Sequence, residues 1–414
     1  MEPHGPTRRD VLALATSAGG LALAGVSMSN CRPDNAPAYL DRPLGLDLRN
    51  RLTAPVVIES IRVVRAAEHI FVRSTSAEGA VGTTVANDNL SYLLPILKEL
   101  VIPCFVGKDA RDLETLVEEV YYHGRTYKLA GVALWNCVGH VEISILDLLG
   151  QASGSPAGAL LGPVLRREVP VYLSSLRRDT TPEQEVDWLG ARIAETGARA
   201  VKLKIGGRMS RNADASPGRT DRLIPLARSR FGDEVEIFVD ANGSYDAAEA
   251  IRIGRMLEAH GIGFYEEPCP WQEYEETWRV ARALDVPVAG GEQDSSLPQF
   301  DWMIRNQIVD LVQPDLLYSG GMLRCLRVAR MAERAGLAIT PHSPKADPLA
   351  ACMLHFASIV PNLGSHQEFS GRARRPESWF EPRFEARGGR LAVPEGLGLG
   401  VRYDAALWAG AAEL

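Results

Sequence analysis

A chain of 414 residues, 46 per cent of them hydrophobic, is long enough for two domains and a short leader. Its formal net charge of −7, with no dense Lys/Arg stripe interleaved with aromatics, argues against a nucleic-acid partner and favours a small-molecule enzyme. Six dispersed cysteines (Cys31, Cys104, Cys137, Cys269, Cys325 and Cys352) form no CxxC pair, so neither a zinc cluster nor a disulfide scaffold is signalled.

At the N-terminus, Thr7-Arg8-Arg9-Asp10-Val11-Leu12 precedes an Ala/Gly-rich apolar stretch that runs to Val26. This is the form of a twin-arginine export signal. Residues 1–31 therefore read as a leader, with small residues for cleavage at Ala22-Leu23-Ala24, and the mature protein is expected in the periplasm. If the leader is misread, the chain stays cytoplasmic. Cys31 follows Met28-Ser29-Asn30, a poor match to a lipidation site. Residues 32–54 read as a linker, and no later segment reads as long and apolar enough to span a bilayer.

Residues 55–165 change character. VVIESIRVVRA and HIFVRSTS predict two strands, followed by a polar, Gly-containing loop from Ser74 to Asn89. Helical periodicity follows in SYLLPILKELVIP, ARDLETLVEEVYYHGR and the segment around HVEISILDLLGQA, which together predict a small α+β domain.

From Val169 the pattern becomes a regular alternation of strand and helix that continues to about Phe369. Seven ionisable residues end successive apolar runs: Lys204, Asp240, Glu266, Glu292, Asp315, His342 and Glu368, separated by 23 to 36 residues. That spacing is one strand, one helix and two short loops, the unit of a β/α barrel, whose strand ends share one mouth. Residues 166–370 are assigned to the barrel, and 371–414 to a tail returning to the first domain.

The chemistry expected at that mouth follows from residue types. Alternation in VKLKIGG turns Val201, Leu203 and Ile205 toward the helices and Lys202 and Lys204 inward, where mutual repulsion and desolvation should lower one lysine pKa and supply a general base. Asp240, Glu266 and Glu292 bring three carboxylates together, hard oxygen ligands that suit Mg²⁺, with Mn²⁺ a substitute. Asn242 shares the strand face of Asp240 as a substrate or supporting contact, while Glu267 should point away from Glu266. Asp315 is placed to orient His342 as a second acid/base, and a protonated Glu368 would donate to a developing oxyanion. Arg208, Arg211 and Arg219 lie in a long loop, either solvated or available to a distal carboxylate of a diacid.

Taken together, the KxK pair Lys202/Lys204, VDANG, YEEP, GGEQ, QPD, TPHS and HQEF resemble the motifs of the enolase superfamily, in particular the mandelate racemase group of the mandelate racemase/muconate lactonizing enzyme family. The resemblance covers almost everything after about residue 55. It implies a (β/α)7β barrel of TIM type with an N-terminal α+β capping domain, a homo-oligomer, and Mg²⁺-assisted removal of the proton α to a carboxylate. Lys204 and His342 would be bases on opposite faces, with Lys202 and Glu368 stabilising the enolate. Dehydration of a sugar acid to a 2-keto-3-deoxy acid is the expected reaction; racemisation, epimerisation and cycloisomerisation use the same enolate. A Schiff-base aldolase built on Lys204 and a non-catalytic binding protein are the alternatives from other classes.

Overall fold

The computed structural model describes residues 43–372 and 379–414; the twin-arginine leader and Cys31 lie outside them. The N-terminal sheet is antiparallel, with strands β1 (Ile58–Ala66), β2 (His69–Ser76) and β3 (Val81–Val85) in sequence order. Half of the loop expected from Ser74 to Asn89 is therefore strand. Val81, Thr83, Thr84 and Val85 carry β-branched side chains that fit a pleated sheet, and the polar threonines concealed the pattern. Only residues 77–80 make the connection.

Helix α1 (Leu113–Tyr122) packs against the long helix α2 (Val132–Ser153), which covers this sheet. Every residue from Leu134 to Gly150 is buried. Gly82 of β3 faces α2 so closely that a Cβ there would lie 2.0 Å from the Ser144 carbonyl oxygen. By length and apolar content α2 passes as a membrane span, contrary to the sequence expectation, but 89% of its apolar window is buried inside the protein. Its polar residues also have protein partners: Ser144 with Ser74 at 2.6 Å, His140 with the Asn87 backbone N–H at 3.1 Å, and Asp147 with the Thr83 N–H at 2.7 Å. It is the core helix of this domain.

Among the described residues the barrel has eight parallel strands: β4 (Glu168–Ser174), β5 (Ala200–Lys204), β6 (Glu236–Asp240), β7 (Tyr265–Glu266), β8 (Val288–Gly290), β9 (Leu311–Val312), β10 (Ala338–Ile339) and β11 (Gln367–Ser370). Neighbours in sequence pair in order, and β11 pairs with β4, so the last strand returns to the first. Between β10 and β11 the join is made by Ile339, whose N–H donates to the Asn362 carbonyl at 3.0 Å and whose carbonyl accepts the Gly364 N–H at 2.9 Å. Helices α3 (Pro182–Thr196), α4 (Arg219–Phe231), α5 (Ala247–Ala259), α6 (Tyr274–Ala283), α7 (Leu297–Arg305), α8 (Met322–Arg334) and α9 (Ala350–Ile359) follow the first seven strands. This is a (β/α)7β barrel.

Local signals explain the boundaries. Thr181 and Gln184 form a capping box at the start of α3, Pro182 occupies the first turn, and Gly197 ends the helix in the left-handed region. Val201, Leu203 and Ile205 join the large core between strands and helices, as alternation requires. Inside the barrel, Tyr172, Ala200, Phe238, Phe264 and Ala289 form a separate cluster, with Phe238 and Phe264 stacked at 4.1 Å. That aromatic plug fills the barrel beneath its charged mouth.

The tail crosses both parts. Arg390–Ala392 pairs antiparallel with the start of β4, and Ala412–Glu413 adds to the edge of β1. Trp379, Tyr403 and Trp408 pack against Phe71 with ring centroids 5.8, 5.3 and 4.9 Å away. Between α1 and α8, Glu118 pairs with Arg324 and Glu114 with Arg327, both at 2.7 Å, while Arg324 lies 3.5 Å over the Trp135 ring.

Candidate active site

Strand register brings the charged residues together. Lys204 is level with Asp240 and Asp240 with Glu266, so three adjacent strands deliver their last side chains to one layer. Glu292 lies two residues past the end of β8, and one oxygen from each of Asp240, Glu266 and Glu292 lies within 4.8 Å of the others. All three are buried. Burial, with Asp240 close by, pushes the Glu266 carboxyl up to about 8. Burial would also raise Asp240, but Lys204 and Lys202 overcome it and hold that carboxyl well below the usual range. Glu266 Oε1 and Glu267 Oε1 are buried without a hydrogen-bond partner. Orphaned hard oxygens beside a convergent carboxylate set fit a divalent cation of the Mg²⁺ type.

The two lysines sit in different surroundings. Lys202 Nζ lies 2.6 Å from Glu266 Oε2, 2.7 Å from Glu368 Oε1 and 3.9 Å from Asp240 Oδ2, above the Tyr172 ring. Desolvation acts to lower its pKa, but the carboxylates outweigh it and raise it well above the ordinary value. Lys202 is thus held cationic, so the lowering expected of one lysine does not fall on it. Lys204 contacts Asp240 Oδ2 and lies 3.3 Å from Asn242 Oδ1.

On the other side, His342 Nδ1 is 2.7 Å from Asp315 Oδ2, and its Nε2 is 3.3 Å from Glu292 Oε2. Burial lowers the imidazole pKa, but Glu292, Glu368 and Asp315 together raise it to about 10. Glu368 Oε2 accepts the Ser343 N–H at 2.8 Å. Desolvation would raise this carboxyl, yet Lys202, His342 and Lys204 bring it down to about 2. The donor role read for Glu368 holds only if it is protonated, and the two lysines and the imidazole that face it favour its ionised form.

Glu267 also departs from the sequence expectation. It does not turn away: its φ of 40° breaks strand alternation, and Oε2 accepts from Asn242 Nδ2 at 3.2 Å. Burial and then the charges of Glu292, Asp240 and Glu266 raise its carboxyl well above the usual range. Arg219 is not in a solvated loop either. It opens α4, is fully buried, and donates to the carbonyls of Thr180 at 2.8 Å and Lys204 at 2.9 Å, bracing the end of β5. Arg208 and Arg211 are exposed.

Two further groups escaped the sequence reading. Gln313 Nε2 donates to Glu266 Oε2 at 3.2 Å; its position two residues before Asp315 would have found it by alternation. Arg178, in the loop after β4, donates through Nη2 to Asn242 Oδ1 at 2.8 Å, and no spacing in the sequence marks it.

Comparison with known proteins agrees with this geometry. The sequence family described as "Enolase C-terminal domain-like" matches residues 185–407. The chain is 27% identical to arabinonate dehydratase of Saccharolobus solfataricus over 352 residues, which is 83% of this chain and 91% of that protein. Among solved structures, a candidate racemase from Roseobacter denitrificans is 34% identical with a TM-score of 0.81, covering 86% of this chain and 100% of that one. A mandelate racemase/muconate lactonizing protein from Paracoccus denitrificans, solved with magnesium, is 26% identical with a TM-score of 0.80, covering 87% and 98%. The chain belongs to the enolase superfamily, within its mandelate racemase/muconate lactonizing enzyme family.

Proposed function

We propose that this protein is a hydro-lyase that dehydrates a sugar acid to the 2-keto-3-deoxy acid. The observation that carries the reading is that two basic groups reach one carboxylate triad from different strands: Lys204 contacts Asp240, and His342 lies 3.3 Å from Glu292. The dehydratase relative supports the same reaction class.

Asp240, Glu266 and Glu292 would hold Mg²⁺, which when bound polarises the substrate carboxylate and favours loss of the adjacent proton. Lys202, kept cationic by its neighbours, offsets the negative charge that develops on that carboxylate. One of Lys204 and His342 takes the α-proton. His342, when protonated, gives its proton to the β-hydroxyl, which leaves as water while the Cα–H electron pair becomes the new C=C bond. The enol then takes a proton at the former β-carbon and becomes the ketone. Each positioned acid or base contributes roughly 10² to 10⁴ in rate.

Racemisation or epimerisation differs only in the last step, with the second base returning a proton to Cα from the other face; the racemase candidate among the structural relatives favours keeping this reading. A panel of sugar acids incubated with the Mg²⁺-loaded protein tests both. Dehydration is scored by 2-keto acid formation, and isomerisation by a change of configuration without it. If no acid in the panel gives either product or exchanges its α-proton with D₂O, the reading is wrong.

A further inference from the structure

Asn242 stands between four ionisable side chains. Its Nδ2 lies 3.1 Å from Asp240 Oδ2 and 3.2 Å from Glu267 Oε2. Its Oδ1 lies 2.8 Å from Arg178 Nη2 and 3.3 Å from Lys204 Nζ. The donor end of the amide thus meets two carboxyl groups and the acceptor end two basic side chains. The backbone is fixed as well: Asn242 has φ 42°, and its N–H donates to Asp240 Oδ1 at 2.7 Å. Asparagine tolerates this left-handed conformation better than most residues.

Only one orientation of that amide is chemically acceptable. Turning it over would set its NH₂ group against Arg178 and Lys204 and its oxygen against Asp240 and Glu267. Donors would then face donors and acceptors face acceptors in a buried site, so the reversed amide is disfavoured. Arg178 is itself anchored, its Nε donating to the Gly206 carbonyl at 3.2 Å. Lys204 and Asp240 end β5 and β6, Glu267 directly follows β7, and Arg178 lies in the loop after β4.

We propose that Arg178 and Glu267 are positioning residues that lock the Asn242 amide so that its oxygen holds Lys204 Nζ in line with the substrate α-carbon. This rests on the two-base reading above. Lys204 has a competing partner in Asp240, which it already touches. With Arg178 gone, the amide oxygen loses its stronger partner and the lysine settles onto Asp240, away from the reacting carbon. With Glu267 gone, the amide loses one of the two acceptors that set its direction. Neither residue contacts His342 in the described structure, so the face served by that base should be unaffected.

The test uses the full-length protein with Mg²⁺ and an acid found active in the panel, plus its α-epimer, and follows α-proton exchange in D₂O by NMR. Lys204→Ala and His342→Asn first establish which epimer reports on which base. Arg178→Met should then slow exchange on the Lys204 face by roughly 10²-fold, in line with losing one positioned base, and leave the His342 face within a fewfold. Arg178→Lys, which keeps the charge but not the planar fork, should recover part of that loss. Glu267→Gln is nearly isosteric and keeps an acceptor oxygen, so it should lose less than Glu267→Leu; this pair decides the matter if Arg178→Met fails to fold. Equal losses on both faces, or a raised KM with exchange intact, would instead make Arg178 a substrate-binding or purely structural residue and overturn the proposal. If Lys204→Ala itself is not face-selective, the two-base reading fails, an outcome distinct from a face-selective lysine with an indifferent Arg178.

Discussion

Asp315 holds His342 through one oxygen and its own loop through the other. Oδ2 is 2.7 Å from His342 Nδ1, while Oδ1 accepts the N–H groups of Leu317 at 2.7 Å and Tyr318 at 2.9 Å. The carboxylate is therefore immobilised before it orients the ring, and Nε2 is the nitrogen left to face the site.

Replacing Asp315 by Asn keeps the loop acceptor but removes the charge. Asp315 is among the groups that raise the His342 pKa, so its neutralisation lowers that pKa and makes the imidazole a weaker base. A loss in kcat of about 10²-fold is expected, with the corresponding limb of the pH–rate profile moved to lower pH. An unmoved profile would show that His342 does not titrate in turnover.

The cation site gives a prediction independent of substrate. Mg²⁺ should raise the thermal unfolding midpoint of the wild-type protein, since a ligand that binds the folded state stabilises it. Asp240→Asn and Glu292→Gln should each weaken Mg²⁺ binding by at least the ~10-fold seen for loss of outer-shell partners, without disrupting the barrel. Titration of the metal-free protein, with calorimetry or the melting shift as readout, checks this. Full turnover after exhaustive chelation would remove the cation from the mechanism.

Sequence pattern was enough to locate Asp240, Glu266, Glu292, Asp315 and His342 at one end of the strands, because a parallel strand of fixed polarity puts its last inward side chain there. Protonation was less legible. The sequence shows two lysines on one strand and suggests repulsion, whereas Lys202 is governed by Glu266 and Glu368, which lie 64 and 166 positions further on. Alternation also misled at Glu267, since the positive φ that turns its side chain back is a property of the barrel rim and not of strand periodicity. Arg178 had no signal at all: it is one of several arginines on loops, and only the fold puts it against Asn242.

Export is proposed from Arg8 and Arg9 alone with the apolar stretch that follows them. Changing both to lysine should retain the precursor in the cytoplasm, as fractionation of the native host would show. A wild-type chain found there with its N-terminus intact would mean that the leader was misread.

Glu142 offers a pH dependence away from the active site. It lies on α2, fully buried, and its two oxygens accept the N–H groups of Met322 at 3.2 Å and Leu323 at 3.0 Å, capping α8 across the boundary between the N-terminal domain and the barrel. Burial pushes its carboxyl up to about 8 despite those two hydrogen bonds. An acid whose pKa is higher folded than unfolded binds more protons when folded, so its stabilising contribution is complete below the unfolded value, about 4.3, and is lost as pH rises toward 8. Glu142→Gln cannot ionise and should escape that loss. Denaturant midpoints of the two proteins should therefore move apart between about pH 5 and 8, the wild type weakening relative to the glutamine variant. A constant difference across that range would mean that Glu142 stays in one protonation state and that the N-terminus of α8 sustains its charge.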